Sequence, residues 1–293
     1  MKRNQFNSSP LAYLLIAPQI IITFVFFIWP AGQALYQSFL VEDAFGLGSE
    51  FVWFENFIYL AEDEYYRDSF GRTAFFSLMV AFISMSFALV LAGFAERATR
   101  GVLAYRTLLI WPYAVAPVLA GALWVFMFDP SLGIVTYFLK LFGVDWNYKL
   151  NGNQAMALVI MVAAWKQIAY NFLFFLAGIH AIPRSMIEAA AIDGSGPIRR
   201  FWTIIFPLIS PITFFLLVIN TVYAFFDTFG IIDTTTIGAP GSETKTLVYK
   251  AYIDGFKGLD LGSAGAQSIM MMLIVLVITI FQFRYIEGKI HYN

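Results

Sequence analysis

IEAAAIDGSGPIRRFWTIIFPLISP, Ile187 to Pro211, breaks an otherwise apolar chain with two acids, a glycine elbow, a pair of arginines and three prolines. Ile182–Pro183–Arg184 reads as a helix start, because a proline in the first turn gives up an N–H that would lack a partner there anyway. Ser185 to Ile192 continue it, and Asp193–Gly194 end it, since glycine enters a left-handed C-terminal cap at no steric cost. Ser195 is placed to cap a second helix, with Gly196–Pro197 in its first turn and Arg199–Arg200 beyond. The expectation is two short helices, the first of about ten residues or ~15 Å, meeting at a sharp turn. Ala189, Ala190 and Ala191 give the first a thin face that another protein can approach closely. A helix lying on lipid would want a Trp/Phe/Leu face against a Lys-rich one, which this stretch lacks. By chemistry alone, a docking loop and a helix lying on lipid both stay open.

What surrounds the loop fixes the class. Of 293 residues, 60% are hydrophobic, 18% aromatic and only 13% charged, with a mean hydropathy of +0.72. Soluble domains carry about 25% charged residues, and no single core of this length hides 32 phenylalanines. The net charge of −1 offers no basic face for nucleic acid. The absence of cysteine excludes a disulfide framework, a thiolate zinc site and a cysteine nucleophile. The composition predicts an all-α polytopic membrane protein embedded in a lipid bilayer.

A spanning helix needs about 20 apolar residues, and six stretches qualify: Leu11–Ala31, Thr73–Ala95, Thr107–Phe128, Met156–His180, Ile204–Phe226 and Gln267–Tyr285. The first is longer than the ~7–15 residues of a signal-peptide core and has no clear cleavage site after it, so it reads as a retained span. Pro18, Pro112, Pro117, Pro207 and Pro211 fall inside spans, tolerated where other groups satisfy the freed backbone. Lys and Arg set the orientation. With the N-terminus inside, the inner segments hold Lys2, Arg3, Arg97, Arg100, Arg106, Arg184, Arg199, Arg200, Arg284 and Lys289. The longer outer segments, Gly32–Arg72, Asp129–Ala155 and Asp227–Ala266, hold Arg67, Arg72, Lys140, Lys149, Lys245, Lys250 and Lys257. The expectation is N-in, C-in, with the opening loop on the cytoplasmic side. The aromatics of Phe51–Phe70 read as interface anchors and local packing, or as a docking face for an external partner.

With topology assigned, Glu188–Ala189–Ala190, Gly194 and Ile205–Phe206–Pro207 resemble the EAA loop of binding-protein-dependent ABC importer permeases, with Phe206 where the family has Leu. The chain is also similar to the carbohydrate-uptake branch of that family in the order of its later elements, Ile232–Tyr252 followed by Leu261–Ser268. There Thr236–Ile237–Gly238–Ala239–Pro240 replaces the usual Thr-Gly-Gly-Gly-Pro. Within that branch, Ile16–Leu35, Trp111–Trp124, Trp165–Phe175, Ala181–Phe201 and Asn220–Asp233 look like the permeases of glycerol-phosphate importers. The resemblance implies a single transmembrane domain of the type I ABC importer permease fold, with residues 181–203 as its coupling loop. It assigns contact with an ATPase to Glu188, Ala189, Ala190, Asp193, Gly194, Arg199, Arg200 and Pro207. It further implies a second permease subunit in a heterodimer, an ATPase homodimer that carries the ATP and Mg, and a periplasmic solute-binding protein. It places the complex in the bacterial inner membrane, with sn-glycerol-3-phosphate, and glycerophosphodiesters with it, as cargo. No cofactor is expected in this chain.

An ionisable residue inside a span is a functional candidate by default. Lys166 lies about ten residues into the fourth span, near the bilayer midplane, between Trp165 and the polar Gln167, Tyr170 and Asn171. It reads either as a cation facing an anionic solute or as a structural lysine bound to carbonyls or an acid. Asn220, Tyr223 and Asp227 share one helical face, as lining of the pathway or as helix–helix glue. A catalytic set is absent from the spans, as is a phosphate-binding loop, so ATP hydrolysis is expected on another chain. His180 and His291 are too far apart to form a site and read as capping or interface residues. A neutral sugar or polyol is the alternative cargo. An ion-coupled secondary transporter would need internal repeats and midplane acids, and neither is evident.

Overall fold

The computed structural model describes residues 10–42, 48–97 and 101–285. Lys2, Arg3, Arg100, Lys289 and His291, used in the readings above, lie outside them. In chain order the helices and strands are α1 (Pro10–Thr23), α2 (Trp29–Gln37), β1 (Leu40–Glu42), β2 (Ser49–Phe51), α3 (Glu55–Glu62), α4 (Glu64–Arg97), α5 (Val102–Ala114), α6 (Pro117–Met127), α7 (Ile134–Leu141) and α8 (Gly152–Ala181). They continue as α9 (Arg184–Ile192), α10 (Pro197–Arg200), α11 (Phe206–Leu208), α12 (Ser210–Phe226), α13 (Phe229–Thr235), α14 (Leu247–Tyr252) and α15 (Leu261–Tyr285). Four described helices are long and apolar enough to cross a membrane: Tyr13–Gln37, Glu64–Glu96, Gly152–Ala181 and Leu261–Arg284. Two bent pairs raise the number to six if each crosses as one.

Those pairs fall on the expected third and fifth spans, which are broken helices. The stretch Thr107–Phe128 is α5 and α6, meeting at 104°, and Ile204–Phe226 lies in Pro197–Leu208 and Ser210–Phe226, meeting at 68°. Proline is the cause in both. Pro117 opens α6, and Val115 and Ala116 before it are extended, as a following proline favours. Near the second break, Pro211 removes an N–H, and Ser210 Oγ donates to the freed Pro207 carbonyl at 2.7 Å. Proline also explains two π-helical segments. Phe24–Ile28 ends two residues before Pro30, and Phe201–Ile205 ends two before Pro207. A proline ring clashes with the carbonyl four residues back, and here that residue, Phe26 or Thr203, sits mid-segment where the wider turn makes room.

By contacts the described residues fall into two units. The first, Met1–Asp63 with Ala251–Met270, contains the antiparallel hairpin β1–β2, with Leu40 opposite Phe51. This strand pair departs from the all-α expectation. Phe39, Phe51, Phe54 and Phe57 pack ring on ring at 5.5–6.1 Å, so much of this aromatic run is spent on local packing. The start of α15 needs small residues: a Cβ on Gly262 would strike the Leu40 carbonyl, and one on Gly265 would lie 2.9 Å from the Ala34 carbonyl.

The second unit, Glu64–Lys250 with Met271–Asn293, is built on α4 against α8. Ala88, Ala92 and Ala95 recur along one face of α4, and their small size admits Phe172 and Phe175 of α8. Without a hydrophobic drive inside lipid, such close packing is what holds spans together. Asn151 caps α8, its side chain accepting from the Asn153 and Gln154 N–H groups at 3.0 and 3.2 Å. In the turn of the Thr236–Pro240 run, Ile237 stands at φ +54°, a left-handed conformation costly for a β-branched residue; the family's usual glycine would enter it freely.

The segment after α6 is held by Asp129, which accepts from Lys149 Nζ at 2.8 Å and from the Ser131 and Leu132 N–H groups at 2.9 and 3.1 Å. The hydrogen bond from Lys149, then those from the backbone, hold the Asp129 carboxyl down at about 2. Its partner Lys149 is correspondingly raised. A depressed carboxyl contributes stability that is complete above its unfolded value near 4 and is lost as pH falls through its folded value. The protection factors of the Ser131 and Leu132 amides are therefore expected to stay constant from about pH 5 to 8 and to fall between about 4 and 2. The same fall in Lys149→Met should begin at higher pH; coincident profiles would show that Lys149 does not hold the carboxylate.

Candidate functional site

The loop around Gly194 has the two-helix form its sequence predicts, with changed end groups. Pro183 sits at the N-cap and α9 begins at Arg184. At the other end Asp193 is the C-cap and Gly194 stands at φ +77°. Gly194 N–H donates to Ala191 O at 3.1 Å and Ser195 N–H to Ala190 O at 3.0 Å, the paired closure of a Schellman turn. Ser195, expected from sequence to cap α10, does not do so; its N–H closes α9, and Gly196 takes the N-cap before Pro197 without a side-chain bond. Arg200 Nη1 reaches back to Ile187 O at 3.4 Å and ties the two helices.

The surface of this elbow is mixed in a particular way. Glu188, Ala189, Asp193 and Arg199 are exposed, as are Ile192 and Ile198 at 87% and 77%, with Met186 beside them. Ile187 turns the other way, packing against the core that contains Ile179 and Ile182. Between the loop and the helix ends lies a cleft of about 500 Å³, lined by Glu96, Arg184, Ile187, Glu188 and Arg200 among others. Pro207 is half-buried. Exposed branched apolar side chains ringed by both signs of charge are the chemistry of a protein-docking surface.

At the same ends of the helices, His180 Nε2 of α8 pairs with Glu96 Oε2 of α4, and Arg106 Nη2 of α5 lies 3.2 Å from the same nitrogen. His180 thus joins helix ends. No group of three His, Cys, Asp or Glu able to hold a metal occurs among the described residues. Glu96 and Arg106 carried no signal for this role in the sequence beyond their charge.

The polar residues of the spans divide. Lys166 is 7% exposed; its Nζ donates to the Val115 carbonyl and lies 3.5 Å from the Pro112 carbonyl. Asn171 and Asn220 are fully buried and bonded to each other and to Ser84, joining α8, α12 and α4. Ser84 escaped the sequence reading because a lone serine in a span gives no pattern. Tyr223 is half-buried, its hydroxyl 3.5 Å from Ala163 O. Asp227 is exposed at the C-cap of α12, so the shared face of Asn220, Tyr223 and Asp227 turns inward at one end and outward at the other. Trp165 and Tyr170 are also half-buried. Trp165 lies 5.9 Å from the Trp124 ring, and Tyr170 lies 5.7 Å from Tyr113 and 4.8 Å from Phe174.

The family model described as binding-protein-dependent transport system inner membrane component matches residues 58–292. The chain is 58% identical over 293 residues, 100% of both chains, to the sn-glycerol-3-phosphate transport system permease protein UgpA of Rhizobium meliloti. Its fold is similar to a solved bacterial ABC transporter involved in the import of the acidic polysaccharide alginate, with TM-score 0.82, 23% identity and 95% of each chain covered. A second structure, bacterial alginate ABC transporter in complex with alginate pentasaccharide-bound periplasmic protein, gives TM-score 0.80 and 23% identity, covering 94% of this chain and 93% of that one.

Proposed function

This chain belongs to the binding-protein-dependent transport system inner membrane components, and on that premise we propose that it takes up sn-glycerol-3-phosphate. It is a permease subunit and not an enzyme, a multi-pass membrane protein whose ATP is hydrolysed by a separate subunit. The reading carries six spans with both termini inside, in the inner membrane, and a heterodimer with a second permease. A periplasmic binding protein delivers cargo on one side; two ATPase copies, holding ATP and Mg, dock on the other. The observation that carries the cargo is the end-to-end 58% identity to a permease of that name.

The loop of residues 181–203 is the ATPase contact in this reading, with Glu188, Ala189, Ala190, Asp193, Gly194, Arg199, Arg200 and Pro207 forming or supporting it. Its exposed Ile192 and Ile198 and the glycine turn that presents them support that role. For the pathway, Trp165, Tyr170, Tyr223 and Asp227 keep partial or full exposure and are the proposed lining. Lys166, Asn171 and Asn220 are committed to internal bonds and support the pathway from behind.

Purification of the tagged chain from its native membrane, followed by uptake in proteoliposomes, tests the assignment. The expected result is co-purification of an ATPase and ATP-dependent uptake of sn-glycerol-3-phosphate above that of glycerol. Transport that persists without ATP, and no accompanying ATPase, overturns the importer assignment. Preference for an uncharged polyol overturns the cargo alone.

A further inference from the structure

We propose that Lys166 is a positioning residue for transport: its ammonium pins the elbow between α5 and α6 and so sets where α6 and α13 stand. In an unbroken helix the Pro112 carbonyl would accept from Ala116 N–H and the Val115 carbonyl from Leu119 N–H. The elbow removes both bonds. Val115 N–H returns to Pro112 O at 3.2 Å, a tighter turn that closes α5. The Val115 carbonyl points out of that turn and meets Lys166 Nζ. A bare carbonyl at this depth has no water to turn to, and the end of α5 carries the negative pole of its helix dipole, where a cation is favoured. The lysine crosses from α8 to reach it, 51 residues away in sequence.

The elbow has a definite load on its far side. Gly121 of α6 faces Thr234 and the Ile231 carbonyl of α13, and Gly230 of α13 faces Val118 and Pro117 of α6. Each helix offers a glycine where the other offers a side chain, so the two pack too closely to slide independently. The chain from the Gly194 loop runs through α10, α11 and α12 into α13. Motion entering at that loop therefore reaches α6 through α13, and the Lys166 elbow is the point about which α6 turns. Bonded in this way, the ammonium serves the backbone and does not meet the cargo. The inference rests on the membrane-spanning reading above but not on the identity of the solute.

The test uses the assembled transporter in proteoliposomes, with no cargo present for the distance measurement and with solute supplied for uptake. The chain has no cysteine, so Leu108→Cys in α5 and Leu123→Cys in α6, both exposed, accept a spin-label pair across the elbow. Lys166→Met is expected to shift or broaden the distance distribution, and Lys166→Arg, which keeps a cation able to bond carbonyls, to restore it. Uptake should fall about tenfold or more in Lys166→Met, the size of a lost coupling, equally for every solute carried, and recover in Lys166→Arg. If Lys166→Met does not assemble, Lys166→Gln, uncharged and of shorter reach, is expected to shift the distance in the same direction. An unchanged distance in the uncharged variants overturns the proposal. So does a loss of uptake confined to phosphate monoesters, the pattern of a cation that meets the cargo. A wrong solute assignment would leave the distance results standing.

Discussion

Gly194→Pro is expected to bring ATP-driven uptake to background while the assembled complex continues to bind and hydrolyse ATP. Proline fixes φ near −65°, whereas Gly194 stands at +77° and donates its N–H to Ala191. Both the angle and the bond are lost, at a cost of about 3 kcal/mol or more in a helical setting. That cost exceeds what a nine-residue exposed helix holds by itself. A Cβ at Gly194 meets nothing within 4 Å, so the effect is one of backbone and not of bulk. The series follows: Gly194→Asn should transport nearly as the wild type, since asparagine tolerates this region, and Gly194→Ala should lie between, at about 1–2 kcal/mol. Glu188→Lys tests the surface and not the turn. It places a third cation in the cleft with Arg184 and Arg200 and should abolish uptake while the affinity of the binding protein for solute stays unchanged. Uptake at wild-type level in both Gly194→Pro and Glu188→Lys would remove the coupling role from this loop.

The long apolar helices and the glycine turn were legible because each rests on a rule local in sequence. An apolar run of about 20 residues and a helix former followed by Asp-Gly need no knowledge of a third element. What was not legible depends on where distant residues meet. Five prolines were visible inside spans, but not which of them would accompany bends of 104° and 68°. The carbonyls left open at the two breaks find donors elsewhere, Pro112 O and Val115 O from Lys166 across the fold and Pro207 O from Ser210. The same holds for Lys166, where the sequence left a cargo contact and a carbonyl bond both open. Ser195 marks the opposite failure. Its cap was a sound local inference, overridden because the closure of α9 had already claimed its backbone.

The hydrogen-bonded cluster of Ser84, Asn171 and Asn220 predicts unequal effects from two similar changes. In Asn171→Leu, Asn220 keeps its bond to Leu216 O at 2.7 Å and the one from Ser84 Oγ at 3.0 Å. Every remaining polar atom of the cluster retains a partner. In Asn220→Leu, Asn171 Oδ1 loses its donor at 2.8 Å and is left bare in a dry interior. A satisfied bond between spans is worth about 0.6 kcal/mol, with a ceiling near 1.7, whereas an orphaned buried group costs about 1–3 kcal/mol. Asn220→Leu is thus expected to destabilise the chain by about 2 kcal/mol and Asn171→Leu by about 1. The double variant should cost less than their sum, because leucine at both positions leaves no orphan. Unfolding from detergent or bicelles measures all three, and additive effects, or the reverse order, would show that the cluster does not act as a unit. The order also bears on transport. The cluster fastens α12 to α4 and α8, and α12 lies between the Gly194 loop and α13. A loosened α12 would absorb displacement that a fastened one transmits, so Asn220→Leu should lose uptake out of proportion to its ATP hydrolysis, and Asn171→Leu much less.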